Sequence, residues 1–144
     1  MNTTQNAIGE TKVVDGIVHD LNSTIHGNVG PDTHTRVMHD VEYLETHLRR
    51  LYGIDECSGL LEIIVEVHPE LTHEAHRIQA ERDAIRAEAH RLVLALENPH
   101  SPTDESLHVL MKALRRLIAS ILQHEHHERA ILIDSANVDR GGEA

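Results

Sequence analysis

Two residues near the end of the chain, His124 and Glu128, could form a functional site, such as a metal site, inside a helical core. They are four residues apart, so their side chains face the same way on a helix. Burying a carboxylate without a partner is costly, so we expect a metal ion, an arginine or ordered water to partner Glu128. Around this pair, apolar residues repeat at alternating spacings of three and four, which is a heptad seam: Leu107, Leu110, Leu114, Leu117, Ile121 and Ile131.

A second seam is interrupted by one charged residue, Arg82. Its apolar members alternate at spacings of four and three: Leu71, Ala75, Ile78, Ile85, Ala89, Leu92 and Leu96. A guanidinium can form a charge-assisted, bidentate pair with a carboxylate. Arg82 is therefore one candidate partner for Glu128. We predict that His124 and Glu128 point inward and that the charged run of residues 125–127 faces solvent.

The composition limits the classes of function. The 144 residues include 13 Lys and Arg against 24 Asp and Glu, a net charge of −11, with 14 His and only two aromatic residues. Such a chain lacks the basic stripe and the stacking aromatics of a nucleic-acid binder. No apolar run is long enough to span a membrane, and no signal peptide is evident, so we expect a cytoplasmic protein without membrane contact. Cys57 stands alone, which excludes an internal disulfide and favours a buried structural thiol.

Proline and glycine divide the chain into helical segments of one domain, residues 1–144. Helices are predicted from Pro31 to Tyr52, over residues 60–67, from Pro69 to Glu97, and from a Ser101–Asp104 cap to the Gly141–Gly142 pair. Residues 60–67 are also strand-like. Residues 13–26 fit a hairpin or a helix; we favour the helix, with Val14, Val18, Leu21 and Ile25 on one face, because a lone hairpin has no sheet to join. Residues 1–12 are predicted to be a disordered tail. The predicted fold is all-α, an antiparallel four-helix bundle.

Several motifs together resemble the hemerythrin-like (HHE) domains over residues 40–142. Residues 124–128, His-Glu-His-His-Glu followed by Ile-Leu, resemble the last-helix motif of that family, and residues 44–48 resemble its second-helix motif with a ligand histidine. Shorter matches occur at residues 58–61, 69–71 and 137–142. The resemblance implies a four-helix bundle with a non-haem di-iron centre held by inward His and Glu side chains.

The resemblance assigns His47, His124 and Glu128 to metal-ligand positions. Two other family positions differ, because Leu51 stands where a Glu is expected and Arg82 stands where a His is expected. His19 and Glu56 are the weaker stand-ins for missing ligands. A cation at Arg82 would repel a metal ion, so an Arg82–Glu128 ion pair could replace part of the centre.

These observations leave three hypotheses for function. The leading one is a small non-enzymatic binding or sensing module with at most a reduced iron site on His47, His124 and Glu128. The first alternative is a complete di-iron protein that handles oxygen, NO or peroxide, with His19 and Glu56 as further ligands. The second alternative is a metal-free structural or interaction bundle. A metal ion, a small diatomic ligand, a protein partner or a second copy of the chain are the partners to be expected.

Overall fold

The computed structural model describes residues 3–27, 30, 32–97 and 104–142, and these residues are helical almost throughout. They form five α-helices and no strand within the described ranges, which confirms the all-α prediction. The helices are α1 (Thr3–His26), α2 (Thr33–Ser58), α3 (Leu60–Val67), α4 (Thr72–Leu96) and α5 (Asp104–Gly142). A 3₁₀ turn, Pro69–Leu71, joins α3 to α4.

The N-terminal segment is a helix rather than a tail or a hairpin. α1 begins at Thr3, so the prediction of a disordered tail is wrong for residues 3–12. Tertiary contacts explain the difference, because Ala7 packs against the core and Glu10 bonds to His47 of α2. All four residues of the predicted apolar face are buried: Val14, Val18, Leu21 and Ile25.

The second helix continues past the glycine that was expected to stop it. α2 passes through Gly53 and ends at Ser58, where Gly59 adopts the left-handed conformation with φ of 67°. Glycine inside a helix costs about 1 kcal/mol, and burial of Leu51 and Tyr52 on the preceding turn outweighs that cost. The final turn leaves Cys57 exposed, so the expectation of a buried thiol is wrong.

The remaining boundaries follow the proline signals. Residues 60–67 form a helix, not a strand, and Pro69 opens the 3₁₀ turn before α4, as its missing N–H favours. The predicted cap at residues 101–103 lies outside the described residues. The last helix begins at Asp104 and reaches the glycine pair at its end, as predicted.

Packing of these helices creates two apolar clusters. α1 packs on α2, α2 on α4, α4 on α5, and α5 returns to α1. The larger cluster involves all four of these helices, and the smaller one contains Ile64, Leu71, Ala75, Ile78 and Ile131. Along α4 and α5, Arg82 and His124 fall between the members of the two clusters. The fold therefore holds polar side chains in a layer between two apolar regions.

Candidate functional site

Arg82 and His124 are the buried polar residues of this layer. Arg82 is 5% exposed and His124 is 1% exposed, so both side chains are almost fully removed from solvent. Each occupies the seam position at which its helix would otherwise carry an apolar residue. The inward orientation predicted for His124 is confirmed.

The guanidinium of Arg82 lies between two carboxylates from neighbouring helices. Its Nη2 is 3.4 Å from Oε1 of Glu128 on α5 and 3.6 Å from Oδ2 of Asp55 on α2. The predicted Arg82–Glu128 pair is therefore present, but one nitrogen makes both contacts, and the pair is not bidentate. Nε of Arg82 is buried and has no hydrogen-bond acceptor among the described residues.

Both ring nitrogens of His124 face carboxylates. Nδ1 donates to Oε1 of Glu81 at 3.0 Å, and Nε2 lies 2.5 Å from Oε1 of Glu128. The second contact is electrostatic, because its geometry is not that of a hydrogen bond. Burial lowers the pKa of His124, but the two carboxylates outweigh burial and raise the pKa above its ordinary value. The layer thus favours an imidazolium at this position.

The two carboxylates beside Arg82 respond differently to their surroundings. Burial raises the pKa of Asp55, and repulsion from Glu128 adds to it, so the pKa reaches about 6 despite the nearby Arg82. Burial acts in the same direction on Glu128, but the contacts with His124 and Arg82 outweigh it and lower the pKa of Glu128. Glu128 therefore keeps its negative charge to lower pH than an ordinary glutamate, whereas Asp55 titrates near pH 6.

Tyr52 is a central residue that sequence reasoning missed. It is buried on α2, and its ring meets the His124 ring edge-on at a centroid distance of 5.4 Å. The guanidinium carbons of Arg82 and Arg86 lie 5.9 Å and 5.7 Å from the centre of the Tyr52 ring. At those distances the ring attracts both cations. Burial, reinforced by Glu128, raises the pKa of the Tyr52 phenol.

Asp55 was missed because α2 was expected to end too early. It follows Leu51 at a spacing of four and so continues the α2 seam beyond Gly53. Glu81 was not among the candidate site residues. Its carboxylate joins two residues of α5, with Oε1 on His124 and Oε2 at 2.6 Å from Nδ1 of His127. Nothing in the spacing within α4 identifies those partners.

The other predicted ligand residues lie elsewhere. His47 bonds to Oε2 of Glu10 at 2.7 Å and stacks on Tyr43. His19 is exposed on α1. Glu56 accepts hydrogen bonds from Arg86 and from Gln79, and the Arg86 bond is the main cause of its lowered pKa. None of these three side chains joins His124 and Glu128 in the polar layer.

The charged run after His124 is only partly exposed. His126 faces solvent, as predicted, but Glu125 and His127 are half-buried, so the expectation that the whole run is solvated is wrong. Contacts with other helices explain this, because His127 bonds to Glu81 and Glu125 bonds to Asp15 of α1. Burial is the largest cause of a raised pKa at Glu125. The hydrogen bond with Asp15 and the repulsion from Asp15 act in the same direction, and the pKa reaches about 7.

A cavity of about 100 Å³ adjoins the polar layer. Its polar wall consists of Asp55, Arg82 and Glu128. The rest of its wall is apolar: Leu60, Leu61, Ile64, Ile78, Ile131 and Leu132. Leu60 and Leu132 are largely exposed at its mouth, whereas Ile64, Ile78 and Ile131 are buried. The site thus combines a charged layer with a small apolar space.

The residues of the layer do not fit the di-iron centre that the hemerythrin-like resemblance implies. Within the described ranges, no three His, Cys, Asp or Glu side chains converge in a way that could hold a metal ion. The carboxylates of Asp55 and Glu128 instead face the cation of Arg82. A metal ion beside that guanidinium would meet direct repulsion.

None of the described helices has the length and apolar character needed to cross a membrane.

Comparison with known proteins does not assign a function to this site. No protein-family model matches the chain, and neither a curated protein nor a solved structure shows significant similarity to it.

Proposed function

We propose that the chain is an antiparallel four-helix bundle of the hemerythrin-like type that acts as a metal-independent binding or sensing module. In this proposal α1, α2, α4 and α5 form the bundle, and the network around Arg82 stands where that family holds metal. The cyclic order of contacts among these four helices supports the bundle. The placement of the Arg82 guanidinium between Asp55 and Glu128 is the observation that carries the functional part.

The charges of the layer support this proposal over a reduced iron site. Glu128 is the strongest candidate ligand, and its carboxylate is already engaged by Arg82 and His124. Iron would have to displace the guanidinium, and it would leave a buried cation without its partners, which is strongly unfavourable. His47, the third ligand of the reduced site, is engaged by Glu10. The network is thus satisfied electrostatically by its own side chains.

Anaerobic titration with iron tests the proposal, and elemental analysis then measures the iron bound per chain. We expect the parent protein to bind iron no more tightly than a His124→Ala variant, because the layer has no vacant ligand set. Arg82→His removes the repelling cation and adds an imidazole, which suits iron, so its affinity should rise at least about tenfold. Arg86→His is the matched control, since Arg86 also lies over Tyr52 but pairs with Glu56 outside the layer.

Binding of two irons per chain by the parent would contradict the proposal and favour a complete di-iron protein. One tightly bound iron that is lost in both His124→Ala and His47→Ala would favour the reduced site. Equal gains in iron affinity in Arg82→His and Arg86→His would show that an added histidine at either position captures iron, and would remove the special role of Arg82.

A further inference from the structure

The short helix α3 is strongly apolar, and part of its apolar surface faces solvent. Six of its eight residues carry aliphatic side chains. One side of the helix, which includes Leu61 and Ile64, packs against the smaller apolar cluster. Leu60, Ile63 and Val67 are instead largely exposed. Packing within the chain therefore covers only part of the apolar surface of α3.

The exposed apolar residues of α3 form one continuous surface. Spacings of three and four place Leu60, Ile63 and Val67 on the same face of the helix. Leu132 of α5 extends that face, because Leu132 and Leu60 line the mouth of the same cavity. These four residues are called the α3 patch below. Single exposed apolar residues are ordinary on protein surfaces, but a contiguous group with a polar border marks an interaction site.

Negative charge borders the α3 patch. Glu62 and Glu66 are exposed on α3, about one turn apart. Residues 51–76 contain six Asp and Glu but no Lys or Arg. The next three arginines, all on α4, already face other carboxylates: Arg77 faces Glu81, Arg82 faces Asp55 and Glu128, and Arg86 faces Glu56. The border of the patch is therefore left with a net negative charge.

This charge decides what can cover the patch. A symmetric pair of chains would place Glu62 and Glu66 of both copies against each other, and each chain carries a net charge of −11. A membrane surface with anionic lipids is repelled in the same way. A basic partner gains electrostatic attraction in addition to apolar burial. A helix is the complementary shape, because the side-chain ridges of one helix pack into the grooves of another.

We infer that the α3 patch binds a basic amphipathic helix of a partner protein. The apolar face of that helix contacts Leu60, Ile63 and Val67. Its Lys or Arg side chains lie against Glu62 and Glu66. The inference goes beyond the proposed function, because the patch lies on the outer face of α3 and its binding does not depend on whether the polar layer takes up iron.

Three synthetic peptides of about 18 residues test the inference, since isolated helices of that length can form. The first has leucines on one helical face and lysines on the others. The second replaces each lysine by glutamate, and the third scrambles the first sequence so that no apolar face remains. Fluorescence anisotropy of each labelled peptide measures its affinity for the protein. The lysine peptide should bind at least about tenfold more tightly than the other two, and it should shift the amide NMR signals of residues 60–67.

Two matched pairs of apolar substitutions locate the binding surface. Ile63 and Leu94 are 53% and 55% exposed, and Val67 and Val109 are 61% and 60% exposed. Leu94 lies in the last turn of α4 and Val109 near the start of α5, at the ends of those helices that are distant from α3. Ile63→Gln and Val67→Gln should each weaken binding of the lysine peptide at least about fivefold, whereas Leu94→Gln and Val109→Gln should leave it within about twofold.

A matched pair of charge substitutions tests the acidic border. Glu62→Gln combined with Glu66→Gln should weaken binding of the lysine peptide at least about fivefold. Asp20→Asn combined with Glu105→Gln removes the same charge from exposed positions of α1 and α5, so binding should stay within about twofold. An increase in salt from about 0.05 to 0.5 M should weaken binding to the parent more than binding to the Glu62 and Glu66 double variant.

Two results with the peptides would overturn the inference. One is the absence of saturable binding of the lysine peptide at protein concentrations up to about 1 mM. The other is an equal effect within the matched pairs, which would mean that the peptide binds the acidic surface in general. Circular dichroism verifies that each variant is folded, and the second apolar pair keeps the test decisive if a variant of the first pair unfolds.

Two results without the peptides would assign the patch to another occupant and would also overturn the inference. Sedimentation equilibrium of the protein alone would reveal a dimer, and dissociation of that dimer by Ile63→Gln would show that a second copy covers the patch. Binding to vesicles with anionic lipids that is lost in Val67→Gln would show that a membrane covers it. We expect a monomer at micromolar concentration and no vesicle binding. Iron binding by the parent is measured separately, so failure of the proposed function remains distinguishable from failure of this inference.

Discussion

Replacement of Arg82 by methionine tests whether the ion pairs between this buried guanidinium and two half-buried carboxylates hold the two apolar clusters together. Methionine keeps an unbranched apolar stem but removes the cation that faces Glu128 and Asp55. Breaking a buried pair by removal of one partner costs roughly 3–5 kcal/mol. The lower end applies here, because the Asp55 and Glu128 side chains are 26% and 29% exposed. Glu128 also keeps its contact with His124, and Asp55 can take up a proton.

We therefore expect Arg82→Met to lower the free energy of unfolding by about 3 kcal/mol at pH 7. With a urea m-value of about 2 kcal/mol per molar, the unfolding midpoint should fall by about 1.5 M. Far-ultraviolet circular dichroism during urea unfolding measures this shift, and it also reports the helical content of the native protein.

Arg49→Met is the matched control for loss of an ion pair at the surface. Arg49 pairs with Glu45 one helical turn away, but its side chain is 64% exposed. Exposed pairs contribute less than about 1 kcal/mol, so the control should move the midpoint by well under 0.5 M.

A double-mutant cycle isolates the Arg82–Glu128 term. Combining Arg82→Met with Glu128→Gln should cost at least about 1 kcal/mol less than the sum of the single changes, because the second change removes the anion left unpaired by the first. Equal midpoints for Arg82→Met and Arg49→Met, or strict additivity in the cycle, would refute the structural role assigned to this pair.

Other predictions concern protonation and backbone conformation. The pKa of His124 is raised in the folded state, so its stabilising effect is present at low pH and is lost as pH rises through the folded pKa. NMR titration should show a pKa above the ordinary value of histidine, and Glu128→Gln should lower that pKa. The folded pKa values of Asp55 (about 6) and Glu125 (about 7) are also raised, which makes their ionisation destabilising, so the unfolding free energy should increase as pH falls from 8 to 5.5. Glu125→Gln should flatten that pH dependence and add about 1 kcal/mol at pH 8, whereas a steeper dependence would contradict the Glu125–Asp15 contact. Gly53→Ala, in a helix interior with open space at Cβ, should stabilise by about 0.5–1 kcal/mol; Gly59→Ala, at φ of 67°, should destabilise by about 1 kcal/mol, and thermal unfolding of the two variants checks the opposite signs.

The sequence by itself determined the helical segments and the residues that interrupt their apolar faces. Spacings of three and four are a local property of a helix, so they place Arg82, His124 and Glu128 on inward faces before any neighbour is known. The buried face of α1 was predictable for the same reason. The Arg82–Glu128 pair was expected only through the hemerythrin-like resemblance, which places both residues at one centre, because helical periodicity alone does not say which two charges meet.

Only the tertiary structure decided which side chains meet across the helices. The register and rotation of α4 against α5 bring Glu81 to His124, and those of α1 against α2 bring Glu10 to His47. Packing around Tyr52 also carries α2 through Gly53, and that extra turn places Asp55 beside Arg82. Helical periodicity specifies the face on which a residue lies but not its partner, because the partner depends on how separate helices slide and rotate to fill a common core.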